Sequence, residues 1–479
     1  MSYDRVLSDF DELLRRDFMT FVERCFRQLN PHQEFSDVAH LRVIAAKLSD
    51  CIQGRGPRRL MLCMPPRSLK SITVSVALTA WLLGLDPTKR IIGASYGAEL
   101  ADKHARDKRT IMTSPFYRRV FPHTCLSKKN SIADFETTLH GFRMATSVNG
   151  TLTGRGGDVL ILDDILKPNE ALSEVKREGV NVWYDNTLLS RLNNKETGII
   201  IIVMHRLHEN DLIGYLLERG EEWDVLSFPA IAEQDEDYMV QTALGPFRYT
   251  RKVGDVLDPS RESLQTLNAI KSQVGSYTFA GQYQQNPTPI GGNMVLRDWL
   301  QYYDPTAPLP KFSTVLQSWD TANKSGELND YSVCTTWGVH DARYYLLDVY
   351  RQKLDYPTLR RKVLEQLAKC KPQIILIEDR ASGTQLIQDL MYESGQRIKP
   401  YDPPPQTDKI MRLHSQTAHF EGGKVLLPSS APWLDEYVRE LTSFPGAKHD
   451  DQVDSTTQAL DYMSQGSGGM EVWKKLGRG

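Results

Sequence analysis

The sequence predicts two α/β domains in one chain, the first built on a mostly parallel sheet and the second on a mixed sheet. Between residues 59 and 204, short apolar runs alternate with longer helical patterns. That alternation is typical of buried parallel strands joined by helices. After residue 310, several strand patterns follow one another before the next helix, which indicates a mixed sheet.

Length and composition agree with this division. A chain of 479 residues exceeds the size at which one hydrophobic core keeps growing, so we expect two or three domains. With 40% hydrophobic and 25% charged residues, the composition is that of a globular protein. The net charge of -2 neither favours nor excludes nucleic acid as a partner, because a local basic face would not alter the sum.

The cysteines and the apolar stretches limit the class of protein further. The six cysteines are scattered and include no CxxC, which disfavours a zinc site or a disulfide framework and suggests reduced thiols in the cytoplasm. The N-terminus carries acidic residues and lacks an apolar leader, and no stretch is long and apolar enough to span a bilayer. We therefore expect a protein that is neither secreted nor bound in a membrane.

The elements follow in order along the chain. Residues 4–30 have the apolar stripe of one amphipathic helix, followed by strands within RLMLCMP, RIIGASY, VLILDD and GIIIIVMHR. Prolines and glycines interrupt residues 246–310, where we place the domain boundary. The predicted division is a first domain at 1–290, a linker at 291–311, a second domain at 312–465 and a flexible tail at 466–479.

The first strand leads into a candidate phosphate-binding loop. An apolar strand, a loop and the head of a helix follow one another, and the candidate ligands are Pro66, Arg67, Ser68, Leu69, Lys70 and Ser71. In such a loop, the helix N-terminus and the lysine face the phosphates and the hydroxyl holds Mg²⁺. The two glycines of GxxxxGK[ST] are replaced by Met64 and Leu69, so a surface Lys-Ser at a helix start is the alternative.

A second motif strengthens the interpretation of that loop. The strand VLILDD ends in Asp163 and Asp164, about where a Mg²⁺ ligand and a carboxylate that orients the attacking water are needed. A strand end with solvated acids is the alternative. The two motifs together predict ATP hydrolysis by a P-loop domain of the RecA/ASCE-like type.

Two arginines are further candidates at this site. Arg155 lies among glycines on the loop before VLILDD, and could reach a γ phosphate as an arginine finger. A plain flexible loop is the alternative. His205 and Arg206 follow the strand GIIIIVM and could sense the γ phosphate.

The second half delivers acidic side chains from three separate segments. The candidate metal ligands are Asp320, Glu378, Asp379, Asp450 and Asp451, with Asp454 ranked below them. Carboxylates gather at low cost only around a positive charge, and hard oxygen ligands suit Mg²⁺ or Mn²⁺. Two such ions would activate water for phosphodiester cleavage, so we expect an RNase H-like nuclease. Each acid alone could be an exposed strand-end residue.

The combination of motifs resembles the large terminase subunit of tailed bacteriophages and related prophages. The resemblance runs from about Leu60 to Met463, and the similar segments are PPRSLKS, GRGGDVLILDD, HRLHENDL, WDTANKSGELNDYSVCTTWG, IEDRASGTQLIQDL and HDDQVDSTTQAL. Two positions depart from the family pattern. Asp164 stands where many such ATPases have glutamate, and Leu207 replaces a tryptophan.

The resemblance implies roles for these residues. Arg67, Lys70 and Ser71 would bind phosphate and Mg²⁺. Asp163 would serve the metal and Asp164 would be the catalytic carboxylate. Arg155 would act on a neighbouring subunit.

In the second half, the resemblance makes Asp320, Glu378 and Asp450 the leading nuclease ligands, and either Asp450 or Asp451 could contact the metal. The cofactors would be ATP with Mg²⁺ in the first domain and two Mg²⁺ or Mn²⁺ in the second.

The resemblance also implies partners and a place of action. The protein would move double-stranded DNA into a procapsid as a homo-oligomeric ring, with a pentamer as the expected form, on a portal protein with a terminase small subunit. It would act in the host cell cytoplasm, docked transiently on the procapsid, and cut concatemeric DNA.

Two other classes of function remain as alternatives. A helicase or repair-type ATPase fused to a nuclease would need a second RecA-like lobe, but the residues after 310 offer acidic strand ends. A non-catalytic DNA-binding structural protein would neither hydrolyse ATP nor nick plasmid DNA.

Overall fold

The computed structural model describes residues 3–130, 134–148, 150, 152, 154–287, 294–321, 331–379, 382–394, 397–404, 407–447 and 449–476. The chain divides into two compact units. The first unit is Met1–Lys271 with Ser276–Pro289, and the second is Ser272–Gly275 with Ile290–Gly479.

The first unit contains an eight-stranded sheet, a two-stranded hairpin and the helices around them. Its helices are α1 Tyr3–Arg16, α2 Phe18–Leu29, α3 Ala39–Ile52, α4 Thr79–Leu85, α5 Ala98–Thr113, α6 Pro115–Val120, α7 Glu174–Trp183, α8 Leu212–Glu218, α9 Leu264–Val274 and α10 Ser276–Gln282. Its strands are β1 Arg59–Cys63, β2 Arg90–Ser95, β3 Leu126–Asn130, β4 Asp134–Thr137, β5 Phe142–Ser147, β6 Val159–Asp163, β7 Ile199–Met204, β8 Asp224–Ser227, β9 Glu236–Thr242 and β10 Gly245–Arg251. Two π-helical segments, Ile72–Leu78 and Tyr184–Leu188, precede α4 and follow α7.

The large sheet is mostly parallel, as predicted. Its strand order is β3-β4-β5-β2-β6-β7-β1-β8, and every pair from β5 to β8 is parallel. Strands β6 and β7 are buried along their whole length because helices cover both faces of the sheet. Asp163 pairs with Val203, and Cys63 pairs with Met204. The carboxyl ends of β6, β7 and β1 therefore lie side by side at one edge.

The N-terminal stripe forms two helices where one was expected. Asp17 separates α1 from α2 and caps α2, since its Oδ2 accepts hydrogen bonds from the Thr20 backbone N at 2.7 Å and from Thr20 Oγ1 at 2.6 Å. Phe18 then packs against Trp81 of α4, with 5.1 Å between the ring centroids. The break lets α2 turn its apolar face onto the core.

The second unit is built on a seven-stranded sheet. Its strands are β11 Gln301–Tyr303, β12 Thr314–Asp320, β13 Ser332–His340, β14 Arg343–Gln352, β15 Ile374–Glu378, β16 Ile398–Tyr401 and β17 Val425–Pro428. Its helices are α11 Tyr356–Cys370, α12 Ser382–Ser394, α13 Lys409–His414, α14 Thr417–Glu421, α15 Leu434–Ser443 and α16 Asp451–Leu476. Helix α16, which ends at Leu476, is the last element of the described chain.

This sheet is mixed, as predicted. The strand order is β11-β17-β14-β13-β12-β15-β16, with β12, β13 and β14 antiparallel and β12, β15 and β16 parallel. Helix α16 is fixed on β12 because Ser318 Oγ donates to the Ser455 carbonyl at 2.7 Å and Ser455 Oγ donates to the Ser318 carbonyl at 2.8 Å. This exchange brings the first turns of α16 beside the end of β12.

Among the helices that the structure describes, none is both long and apolar enough to cross a bilayer.

The capping role of Asp17 gives a stability prediction. Asp17→Ala removes the acceptor for the first turn of α2, which typically costs about 1 kcal/mol. We expect the calorimetric transition of the first unit to fall by about 2–4 °C. The control is Asp9→Ala on the exposed side of α1, and an equal shift in both variants would contradict the capping role.

Candidate active sites

The loop after β1 is the candidate phosphate loop, and two of its residues other than glycine have left-handed backbone conformations. Arg67 and Leu69 adopt left-handed conformations, with φ values of 60° and 61°. Leu69 occupies the position of the second glycine in GxxxxGK[ST]. Ser68 Oγ donates to the Pro65 carbonyl at 2.7 Å and fixes the turn between them. Leu69 thus has the left-handed conformation that glycine adopts most easily, and each left-handed side chain costs about 1–2 kcal/mol.

Lys70 is buried against the ends of the two neighbouring strands. Its Nζ donates to Asp164 Oδ1 at 2.8 Å and lies 2.9 Å from His205 Nδ1. Burial acts to raise the pKa of Asp164, but the charge of Lys70 and the hydrogen bond with His205 outweigh it and hold that pKa well below its usual range. Asp164 is therefore an ionised carboxylate at neutral pH, which is the form that can accept a proton from water.

Asp163 points to the other side of the strand end. Its Oδ1 accepts from Ser71 Oγ at 3.0 Å, its Oδ2 accepts from Ser75 Oγ at 2.6 Å, and His104 Nδ1 lies 3.6 Å away. Burial and then the adjacent charge of Asp164 raise the pKa of Asp163 to about 7. A carboxylate and a hydroxyl side by side are hard oxygen donors, so Ser71 and Asp163 suit Mg²⁺.

The two candidate arginines lie apart from this cluster. Arg155 Nη1 pairs with Asp134 Oδ1 at 2.5 Å, and its guanidinium lies 5.2 Å from the centroid of the Phe142 ring. Arg206 Nε donates to both carboxylate oxygens of Asp211, at 3.0 and 2.9 Å.

The contacts of Arg206 have a physical cause. Asp211 is fully buried, caps α8 through the Gly214 backbone N, and needs a cation to balance its charge. His205, which precedes Arg206, is the strand-end residue that reaches Lys70.

A cavity of about 380 Å³ lies beside the phosphate loop. Its lining includes Phe26, Gln33, His40, Pro65, Arg67, Ser68, Leu69, Leu257, Asp258 and Arg261. The Nδ1 of His40 is buried with no hydrogen-bond partner among the described residues, and burial lowers the pKa of His40 to about 4. Sequence reasoning missed this cavity because its walls come from distant segments without a shared motif.

The second unit gathers carboxylates around the end of β12. Burial, then the charges of Asp454, Glu378 and Asp451, raise the pKa of Asp320 well above its usual range. These charges come from β15 and α16, so acids of all three elements contribute to the electrostatic environment of Asp320. Asp454, which we ranked lowest, acts on Asp320 more strongly than any of the other carboxylates.

Two cations from α13 face the acids of α16. Lys409 Nζ lies 2.7 Å from Asp450 Oδ1 and 2.7 Å from Asp454 Oδ2, and Arg412 Nη2 lies 3.0 Å from Asp454 Oδ1. Asp379 lies apart on the exposed surface, where Thr384 Oγ1 donates to its Oδ1 at 2.7 Å.

Within the described residues, no three Asp, Glu, His or Cys side chains converge closely enough to form a metal site. The chemistry of the candidate ligands suits a divalent ion, because carboxylate oxygens are the hard donors that Mg²⁺ and Mn²⁺ prefer. Residues 322–330 of the first acidic motif, and Arg380 and Ala381 of the second, lie outside the described residues.

The raised pKa of Asp163 gives a pH prediction for the metal-free protein. The pKa lies near 3.8 in the unfolded chain and about 7 in the folded one, so between those values the folded state binds the extra proton. Binding of this proton stabilises the folded state at low pH. The free energy of unfolding therefore falls as pH rises toward 7, by up to about 1.4 kcal/mol per pH unit. Asp164 stays ionised in both states across that window.

We expect the melting temperature of the first unit, measured by calorimetry in EDTA, to fall less between pH 5 and 7.5 in Asp163→Asn than in the wild type. Asp9→Asn is the matched control and should follow the wild type. Parallel curves for wild type and Asp163→Asn would show that Asp163 is already ionised.

Comparisons with known proteins agree with both units. Residues 317–463 match the family model described as the terminase RNaseH-like domain. The large terminase of a thermophilic bacteriophage is 12% identical, with a TM-score of 0.53 over 90% of this chain and 99% of that chain. The structure of the same terminase in complex with ATP-gamma-S gives a TM-score of 0.50 at 12% identity, over 89% and 99% of the two chains. No curated protein sequence matched the chain.

At 12% identity, the structural likeness establishes the fold of the chain, and the family model matches residues 317–463 of the second unit. Together they confirm the predicted resemblance to phage large terminases, with a mostly parallel first sheet and an RNase H-like second unit. The chain therefore has the fold of a phage large terminase, and its residues 317–463 resemble the terminase RNaseH-like domain.

Proposed function

We propose that this protein is a viral DNA-packaging motor, in which ATP hydrolysis drives double-stranded DNA into a procapsid and a two-metal endonuclease cuts concatemeric DNA. The observation that carries the proposal is the buried contact of Lys70 with Asp164 and His205 at the end of the phosphate loop. Such a contact joins a phosphate-binding cation to a candidate general base. The acidic cluster of the second unit supplies the second chemistry.

In the ATPase reaction, Lys70 and the loop backbone would bind the β and γ phosphates, with Arg67 beside them. Phosphate oxygens compete with Asp164 for the ammonium group of Lys70, so nucleotide binding would free the Asp164 carboxylate to orient the attacking water. Mg²⁺ held by Ser71 and Asp163 would neutralise charge on the transferred phosphate. His205 would keep its contact with Asp164 and hold that carboxylate in place.

The cavity beside the loop is the candidate site for the base of the nucleotide. Leu69 and Leu257 give it apolar walls, and Gln33 and His40 give it groups that can form hydrogen bonds. A mostly apolar cavity with a few polar groups is typical of small-ligand sites. The cavity adjoins the loop through Pro65 and Ser68, so one nucleotide could occupy both.

In the nuclease reaction, Asp320, Glu378 and one or both of Asp450 and Asp451 would hold two Mg²⁺ or Mn²⁺. These ions would activate the attacking water and stabilise the leaving oxygen. The chain's own contribution would be to supply these carboxylates from the ends of β12 and β15 and from the start of α16. Their mutual repulsion favours binding of divalent cations.

Assembly would complete the ATPase site. The side chain of Arg155 is 41% exposed, so a neighbouring copy could receive it at its γ phosphate once the pair with Asp134 opens. We therefore include a ring of subunits on a portal protein, with a terminase small subunit, in the proposal. The ring would act in the host cytoplasm, docked on the procapsid, and Arg206 would support the site through Asp211.

Lys70→Ala tests the ATPase half of the proposal. Without the cation, the phosphates lose their main charge partner, and we expect ATP hydrolysis to fall at least about 100-fold. Plasmid cleavage with Mn²⁺ should stay within about 2-fold of the wild type. Lys89→Ala, a surface lysine paired with Asp86, is the matched control. Retained ATPase activity in a folded Lys70→Ala protein would refute the role of the loop.

Asp320→Ala tests the nuclease half. Loss of a carboxylate that lies among the others should reduce plasmid cleavage with Mn²⁺ at least about 100-fold. ATP hydrolysis should remain within about 2-fold, because Asp320 lies in the second unit. The control is Asp435→Ala on the exposed face of α15. If both activities vanish in a folded Asp320→Ala or Lys70→Ala protein, the two-site proposal is wrong.

A further inference from the structure

Two hydroxyl groups of one helix hold the two carboxylate oxygens of Asp163. Ser71 and Ser75 are four residues apart on the helix that follows the phosphate loop, so their side chains lie on the same side of it. Ser71 Oγ donates to Asp163 Oδ1 at 3.0 Å, and Ser75 Oγ donates to Asp163 Oδ2 at 2.6 Å. The proposed ATPase mechanism uses Ser71 and Asp163 and gives Ser75 no part.

The surroundings of Asp163 Oδ2 are closed to solvent. Asp163 and Ser75 are both buried, and so is His104 of α5. The Nδ1 of His104 lies 3.6 Å from Oδ2, which is beyond hydrogen-bond distance, whereas the hydroxyl of Ser75 is within it. An ion or a water molecule could reach Oδ2 only by displacing one of these two side chains.

The backbone of Asp163 does not by itself decide which way its oxygens face. Asp163 is the last residue of β6 and pairs with Ser95 of β2 and Val203 of β7, so the sheet fixes its main chain on both sides. The last side-chain torsion of an aspartate is nevertheless broad and has two nearly equivalent settings. A hydrogen bond to each oxygen removes that freedom.

The neighbouring hydroxyl groups on the same helix behave differently. Thr79 Oγ1 donates to the backbone carbonyls of Ser75 and Val76, each at 3.0 Å, which is a common arrangement for a hydroxyl inside a helix. Thr73 Oγ1 is buried with no hydrogen-bond partner among the described residues. Ser75 donates instead to a side chain 88 residues away. Burial in this helix therefore does not by itself direct a hydroxyl toward Asp163.

We propose that Ser75 is a positioning residue of the ATPase site, which holds Oδ2 of Asp163 and leaves Oδ1, beside the Ser71 hydroxyl, for Mg²⁺. The inference rests on the proposed ATPase function, in which Ser71 and Asp163 hold that ion. Residues that orient a metal ligand through a hydrogen bond contribute about 10- to 100-fold to metal affinity or activity. Ser75 acts through Asp163 and does not itself touch the nucleotide.

The test measures equilibrium binding of a fluorescent ATP analogue to the full chain, once with excess Mg²⁺ and once with EDTA. We expect Ser75→Ala to weaken binding roughly 10-fold in Mg²⁺ and to leave it within about 2-fold of the wild type in EDTA. The loss is confined to Mg²⁺ because the hydroxyl orients a metal ligand. A residue that only stabilises the helix would weaken binding under both conditions.

Two further variants separate the hydrogen bond from packing. Ser75→Cys fills nearly the same space with a weak donor, so it should lose affinity in Mg²⁺ as Ser75→Ala does. Thr73→Val is the matched control, since it removes a buried hydroxyl from the same helix and should bind the analogue like the wild type. Thermal melting confirms that each variant is folded.

A double-mutant cycle tests whether Ser75 acts through Asp163. In the Asp163→Ala background there is no carboxylate to hold, so Ser75→Ala should change affinity in Mg²⁺ by less than about 2-fold. A contribution of Ser75 that does not pass through Asp163 would give the same loss in both backgrounds.

Three results would overturn the inference. Ser75→Ala might weaken binding equally in Mg²⁺ and in EDTA, bind like Thr73→Val in Mg²⁺, or lose as much in the Asp163→Ala background as in the wild type. In each case a loss of Mg²⁺-dependent affinity in Asp163→Ala alone would leave the proposed metal role of Asp163 standing. If Asp163→Ala binds the analogue in Mg²⁺ like the wild type, that metal role is wrong, and the role of Ser75 fails with it.

Discussion

The ion pair between Lys70 and Asp164 depends on how the first sheet is assembled. The parallel strands β1, β6 and β7 end together, so the residues that follow them are forced to one edge. Buried charges at such an edge need partners of opposite charge, and Lys70 pairs with one of the two adjacent acids. His205 and Ser71 complete the arrangement, because each contacts one side of the strand end. The ATPase proposal rests on this buried set of charges.

The second unit also places acids beside protein cations, with more acids and with cations from a different kind of element. The sheet supplies Asp320 and Glu378, and α16 supplies the remaining carboxylates. Here the balancing charges come from α13, a short helix that is far from the acids in sequence. In both units, protein cations are paired with the acids. If phosphate and metal bind as proposed, each would exchange one ionic partner of the acids for another.

The sequence predicted the features that depend on local pattern. Apolar runs predicted β6, β7, β12 and β15, and the acids at the ends of β6, β12 and β15 predicted the two candidate sites. It failed where the outcome depends on contacts between distant segments. Nothing in the pattern distinguishes Arg206, which Asp211 holds, from an arginine that faces a phosphate. The sequence pattern also could not predict the pairing of Lys409 with Asp454 or the walls of the cavity. Each of them joins segments that are far apart in the chain.

The unusual phosphate loop has a consequence for the unfolded chain. Glycine samples many backbone conformations when a protein is unfolded. Folding fixes one of them, and the loss of the others is a cost in conformational entropy. With Met64, Arg67 and Leu69 in the loop, that conformational entropy is smaller from the start. The strain at the left-handed residues is thus offset in part by a smaller entropy loss on folding. A loop of this kind should be stiffer than a glycine-rich one, and less of the binding free energy of a nucleotide would go into ordering it.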